Sequence, residues 1–141
     1  MLHLIRQITK DDIRFRDLLI ALNKKFYHKT VTSADVEHYI SSFLKLDLTG
    51  IFDQYLRTIK IPLLEYKITA SKIEYRWMDN VANLILPVKV SLGKADGSDQ
   101  WITPNKKWKK LKVGKWYDGK TFVVNKKFYV FTKNTSLISP K

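Results

Sequence analysis

The chain has 141 residues, enough for one domain or two small units sharing an interface, and 45% of them are hydrophobic, the ordinary globular share. It contains no cysteine, which excludes a disulfide framework, thiolate metal sites and a cysteine nucleophile. Its net charge of +13 is uneven: residues 1–60 carry ten basic and seven acidic side chains, residues 61–99 five of each, and residues 100–141 eleven lysines against one acid, Asp118.

The predicted elements begin at once. Met1 to Ile8 is an apolar-rich helical pattern with no Ser, Thr, Asp or Asn before it to cap the first turn. Either the chain is a piece of a longer protein whose missing part precedes Met1, or a native helix starts here with its first N–H groups hydrated. Phe15, Leu18, Leu19, Leu22 and Phe26 form one stripe of a second helix. Asp11 and Asp12 stand where its cap and first-turn acid belong, and Lys24, Lys25 and Lys29 near its end suit the helix dipole. Thr32 with Asp35 predicts a capping box, followed by the apolar face Val36, Tyr39, Ile40 and Phe43. Asp47 is the expected cap of a last helix with the stripe Leu48, Ile51, Phe52, Tyr55 and Leu56, which Gly50 weakens.

At Pro62 the period changes from helix to strand. Leu64 to Ala70 and Ile73 to Trp77 alternate apolar with polar, and Asp79-Asn80 signals a turn. Leu84, Leu86, Val88 and Val90 predict a longer strand, with Pro87 placing it at an edge or a bulge. Asp96-Gly97 and Asp118-Gly119 are further turn signals, and Thr121 to Val124 and Phe128 to Phe131 read as two more strands. The expected fold class is α+β: a short helical bundle over residues 1–60, then an antiparallel β-sandwich over residues 61–141.

Chemistry-bearing patterns are sparse. His3, His28 and His38 do not form His-Glu-x-x-His, and neither a phosphate-binding Gly-x-x-x-x-Gly-Lys loop nor a Gly-x-Ser-x-Gly elbow is present. Asp11, Asp12, Asp17, Asp35 and Asp53 look like caps and exposed helix positions, so no catalytic, cofactor-binding or metal-binding residue is assigned. Lys106, Lys107, Lys109, Lys110, Lys112 and Lys115 surround Trp108 and Trp116. Basic residues interleaved with aromatics can hold a phosphate backbone and stack bases. Arginine, the better bidentate phosphate binder, is absent from that segment, which favours a solvated lysine face with both tryptophans packed inward. The four tryptophans Trp77, Trp101, Trp108 and Trp116 can alternatively form a platform for sugar rings. No apolar run approaches the ~20 residues of a membrane-spanning helix. Met1 to Ile8 is too short for an apolar signal core and lacks a basic leader.

The order of residues resembles one family. Phe52-Asp53-Gln54-Tyr55-Leu56-Arg57, followed by Ile61-Pro62-Leu63-Leu64-Glu65, is similar to the end of the catalytic domain in aminopeptidase N-like zinc metallopeptidases, the gluzincin aminopeptidases. There the pattern is Phe-Asp-x-Trp-Leu, a spacer and Gly-x-Pro-x-Leu, leading into a β-sandwich. Met1-Leu2-His3-Leu4-Ile5-Arg6 resembles the family helix after Tyr-x-Lys-Gly-Ala, and Thr32 to Tyr39 the Thr-x-x-Asp-Phe helix start. Tyr75-Arg76-Trp77, Leu86-Pro87-Val88-Lys89-Val90, Trp101-Ile102-Thr103-Pro104 and Phe128-Tyr129-Val130 look like the C-terminal sandwich of some bacterial members. Tyr55 replaces the usual Trp, and Lys60 the usual Gly, which puts a left-handed turn at residue 60 in question.

The resemblance implies a non-catalytic C-terminal part of a zinc aminopeptidase (a hydrolase of N-terminal peptide bonds), inactive by itself. It places the zinc ligands, the glutamate base and a tyrosine stabilising the tetrahedral intermediate before Met1. The implied partners are the missing catalytic domain and, for the parent, a peptide substrate. No specific nucleic acid and no membrane span are expected. Leu2, Leu4, Ile5 and Ile8 occupy more than one helix stripe, so an exposed apolar patch and self-association are expected. A periplasmic or cell-envelope parent is compatible with the resemblance, while the residues assign no compartment. The alternative is a free-standing basic β-sandwich module that binds a glycan or nucleic acid.

Overall fold

The structure, a computed structural model, describes residues 1–69, 72–94, 97, 99–114, 116–117 and 119–136. Four helices come first: α1 (Leu2–Thr9), α2 (Asp12–Phe26), α3 (Ser33–Leu44) and α4 (Thr49–Leu56). Local capping chemistry sets their boundaries. Asp11 accepts a hydrogen bond from the Arg14 N–H at 2.9 Å. Thr32 and Asp35 form the full reciprocal capping box at the start of α3. Asp47 accepts from the Thr49 N–H at 3.1 Å, one residue ahead of the α4 N-cap, Leu48. Lys10 and Lys45 close α1 and α3 in the left-handed conformation.

Each helix buries a narrow stripe: Leu4 and Ile5, Phe15 and Leu18, Ile40 and Leu44, Ile51 and Phe52. The expected stripes are wider than the observed ones, because Leu19 and Leu56 are exposed. Successive residues on a helix diverge by about 100°: Leu18 enters the core and Leu19 turns out of it, whereas Leu4–Ile5 and Ile51–Phe52 straddle the buried stripe. Long-range contacts then lock the helices together. Arg14 donates to the Phe43 and Leu44 carbonyls at the end of α3, and Arg57 forms a bidentate pair with Glu37.

Among the described residues seven strands follow: β1 (Leu63–Thr69), β2 (Lys72–Met78), β3 (Val88–Ser91), β4 (Asp99–Ile102), β5 (Lys109–Lys112), β6 (Val123–Val124) and β7 (Phe131–Asn134). They form a four-stranded sheet, β5-β2-β1-β7, and a three-stranded sheet, β4-β3-β6. The fold class is therefore α+β. The first sheet departs from the antiparallel expectation, because β7 runs parallel to β1. A parallel neighbour requires a long connection, and the chain makes it by passing through the other sheet before returning.

The strand expected from Leu84 begins only at Val88. Pro87 has no N–H to give a ladder, although Leu84 and Leu86 are still buried. The strand expected over Phe128 to Phe131 is displaced to β7, because residues Asn125 to Phe128 close a turn through the Phe128 N–H to the Asn125 carbonyl. Asp79 takes up the expected turn region with φ 53, and Gly97 and Gly119 have φ 66 and 71. Ala70, Asp96, Asp118 and Lys115, which figure in the expected strand, turns and lysine cluster, lie outside the described residues. One hydrophobic cluster joins buried residues of all four helices with Leu64, Trp77, Val88, Val90, Ile102 and others from both sheets.

Four carboxylates, three exposed and Glu74 half-buried, make acid sensitivity a property of this fold. The Arg6 guanidinium holds Asp12 below the usual carboxylate range, as Thr32 does for Asp35, Thr49 for Asp47, and Lys72 for Glu74. A group depressed in the folded state stabilises the fold above its ordinary pKa and loses that effect as pH falls through the folded value. Thermal unfolding followed by circular dichroism is expected to shift to lower temperature below about pH 4, where carboxylates begin to protonate. Asp35→Asn should flatten part of that slope, and an unchanged slope would count against the capping box.

Candidate functional site

The described residues form a groove of about 400 Å³ where α1 meets the three-stranded sheet, and its chemistry is cationic. Helix α1 supplies it through spacing: Leu4 and Ile5 enter the core, while His3, Arg6 and Gln7 fall on the other face at i, i+3 and i+4, and Lys10 follows as the left-handed C-cap. Arg6 is held by Asp12 across the α1–α2 corner, with Nε and Nη2 donating to the carboxylate at 2.9 and 2.7 Å.

The sheet supplies the opposite wall. Lys89 on β3 is the cross-strand partner of Trp101 on β4, and its ammonium lies 5.2 Å from the centre of the indole ring. The Lys10 ammonium lies 4.7 Å from the same ring. Phe128 packs edge-on against Trp101, with centroids 5.7 Å apart. The third segment comes from the turn after β6. Asn125 is pinned to Asp99 and accepts the Lys127 N–H, and Lys127 lines the groove. Three stretches distant in sequence thus converge on one concavity. Sequence reasoning noted His3, Asp12 and Trp101 singly, and Arg6 and Lys89 only within the resemblance, and missed the constellation; only the chain's fold brings Lys89 and Lys127 to α1.

The lysine-rich segment is built differently. Lys109 to Lys112 form β5 at the edge of the four-stranded sheet, with Lys110 and Lys112 exposed. Lys109 donates to the Thr103 carbonyl at 2.6 Å, and Lys110 lies 4.0 Å from Glu74. Trp108 is half-buried, with the Lys67 ammonium 4.8 Å and the Arg76 guanidinium 4.5 Å from its centroid. Arg76 is anchored in turn by the buried Glu65, at 2.6 Å. Trp116 corrects the expectation that it packs inward: it is 49% exposed and lies over Gly114, where a Cβ would meet its Nε1 at 2.6 Å. Trp77 is buried and Trp101 lines the groove, so the four tryptophans do not make one platform.

Binding of DNA or RNA is accordingly expected to be weak, indifferent to sequence and steeply weakened by salt, as counterion release requires for any cationic face. Fluorescence polarisation of a labelled oligonucleotide at low and physiological salt measures this. Tight binding at physiological salt that Trp108→Ala abolishes would overturn it.

His28 has φ 52 and packs on Tyr27, and His38 is exposed on α3 beside Ser42. Among the described residues no three His, Cys, Asp or Glu side chains cluster so as to hold a metal. These residues therefore do not fit a zinc site. Also among the described residues, no helix is long and apolar enough to cross a membrane.

The helix-to-sheet junction is a second organised region. Gln54, 1% exposed, accepts the Val81 N–H at 2.8 Å and donates to the Lys60 carbonyl at 2.7 Å. Lys60 is not among the residues with positive φ, so no left-handed turn replaces the glycine of the resemblance. The Tyr55 hydroxyl donates to the Tyr129 carbonyl at 2.7 Å, tying α4 to the segment before β7, and its desolvation raises the phenol pKa. On α1 and α2, Leu2, Ile13, Leu19 and Ile20 are exposed, while Leu4 and Ile5 are buried and Ile8 is half-buried. No known family model matches the chain, and no curated protein matches it.

Proposed function

We propose that this chain is the non-catalytic C-terminal part of a gluzincin-type zinc aminopeptidase. The helices are the tail of its catalytic domain, and the two sheets are the layers of a following β-sandwich. The observation that carries the reading is the junction. Phe52-Asp53-Gln54-Tyr55-Leu56 lies on α4, which ends at Leu56, and β1 begins at Leu63 just after the buried Pro62. This switch from helix to sheet falls where the resemblance puts the end of the catalytic domain. The apolar side chains exposed on α1 and α2 suit a surface that packs against further chain.

In this reading the segment supports the active site by packing and contributes no reacting group. Bound zinc in the parent supplies the polarisation of a peptide carbonyl and the activation of water. The test is the coding sequence before Met1 together with an assay of the longer chain. An in-frame His-Glu-x-x-His and zinc-dependent hydrolysis of an aminoacyl-anilide are expected, with no turnover by the 141-residue chain alone. Absence of such an upstream segment, or turnover by the isolated chain that survives repurification, overturns the proposal.

A further inference from the structure

The groove between α1 and the β3–β4 sheet collects more positive charge than the fold neutralises. Among the described residues that line it, the carboxylate is Asp12, which Arg6 engages through two hydrogen bonds and which also feels the charge of Lys127 at longer range. Among the described residues no carboxylate lies within ion-pair distance of Lys10, Lys89 or Lys127. The three ammonium groups approach from α1, from β3 and from the turn after β6, and the fold orients each segment. Lys10 and Lys89 are held over Trp101, whose ring is braced by Phe128, and the Asn125 turn places Lys127.

Like charges on a convex surface spread into water and repel little. On β5 the lysines behave so, with Lys110 and Lys112 exposed and Lys109 bonded to a carbonyl. Like charges converging on a concavity raise its potential and concentrate a counterion there. The volume, about 400 Å³, is that of a small-ligand site. The excess of three lysines over the satisfied Arg6–Asp12 pair calls for a multiply charged anion rather than a single carboxylate. Tetrahedral oxyanions offer enough acceptor oxygens for several ammonium donors at once.

We infer that this groove binds a small, soluble, multiply charged phosphate, with Lys10, Lys89 and Lys127 as its ligands and Trp101 as the brace that sets two of them. This site is independent of the aminopeptidase reading, since none of its residues takes part in the junction that carries it.

The test is a calorimetric titration of the full 141-residue chain with sodium pyrophosphate at constant ionic strength, alongside Trp101 fluorescence assigned with Trp101→Phe. Saturable one-to-one binding is expected, with a change in the Trp101 signal. Lys89→Gln and Lys127→Gln should each weaken it about tenfold, the size of one lost charge-assisted hydrogen bond. Lys106→Gln with Lys107→Gln, outside the groove, should leave it unchanged. Circular dichroism of each variant confirms that the fold persists. Absence of saturation, equal occupancy by acetate, or equal weakening by the Lys106 and Lys107 substitutions overturns the inference.

Discussion

Gly50→Ala is expected to destabilise the fold by about 3 kcal/mol, the upper part of the range for forced overpacking. Gly50 lies in the first turn of α4 and is buried against the segment that leads to β3. A Cβ built there stands 2.8 Å from the Asn83 carbonyl carbon and 2.9 Å from the Leu84 Cα, and closer still to the Asn83 oxygen. These are backbone atoms, so no side-chain rotation relieves the overlap. Either α4 or the residues around Asn83 must move, and Leu84 beside them is in the core. The midpoint of thermal unfolding should fall by about 10 °C for a chain of this length. Gly97→Ala is the control. It has φ 66 and, among the described residues, nothing within 4 Å, so the conformational cost of about 1 kcal/mol applies. Equal effects of the two substitutions would show that the close approach at Gly50 does not matter.

Gln54→Leu is expected to cost a similar amount, about 3 kcal/mol, because it keeps the side-chain bulk but removes both ends of a buried polar clamp. The Val81 N–H loses its acceptor at 2.8 Å, and the Lys60 carbonyl loses its donor at 2.7 Å. Leaving a buried donor or acceptor unpaired costs its desolvation, which exceeds the net worth of the hydrogen bond. The loss should be local as well as global, because Gln54 joins α4 to the connection before β1 and to the loop after β2. Urea unfolding gives the global value, and amide exchange at Val81 gives the local one. Gln54→Glu retains an acceptor for Val81 and should restore protection there while still lacking the donor to Lys60. Unaltered exchange at Val81 in Gln54→Leu would dismiss the clamp.

Both effects lie in positions that carry little signal in the sequence. Gly50 counts there only as a weak helix former, and Gln54 as one polar residue in an apolar stripe. Their importance comes from residues about thirty positions later in the chain, around Asn83 and Val81. The candidate groove has the same character. Its lysines are unremarkable among the basic residues of a chain with net charge +13, and the more conspicuous cluster around Trp108 is the less convergent one. A run of charge along a strand points its side chains alternately to either side, whereas a site requires convergence from several elements.

The sequence by itself determined the helical half and the change to strands at Pro62. Caps and periodicity are local: Asp11, the Thr32–Asp35 box and the alternation through Leu64 and Ile73 act over a few residues. Only the tertiary structure decided which of two adjacent apolar residues faces the core, as with Leu18 and Leu19. It also decided that β7 lies parallel beside β1, and that Trp116 stays exposed while Trp77 is buried. Those outcomes depend on competition among distant segments for one interior and one sheet edge. Side-chain types near each position do not encode that competition, and the pairing of Lys89 with Trp101 beneath Lys10 arises only once it is resolved.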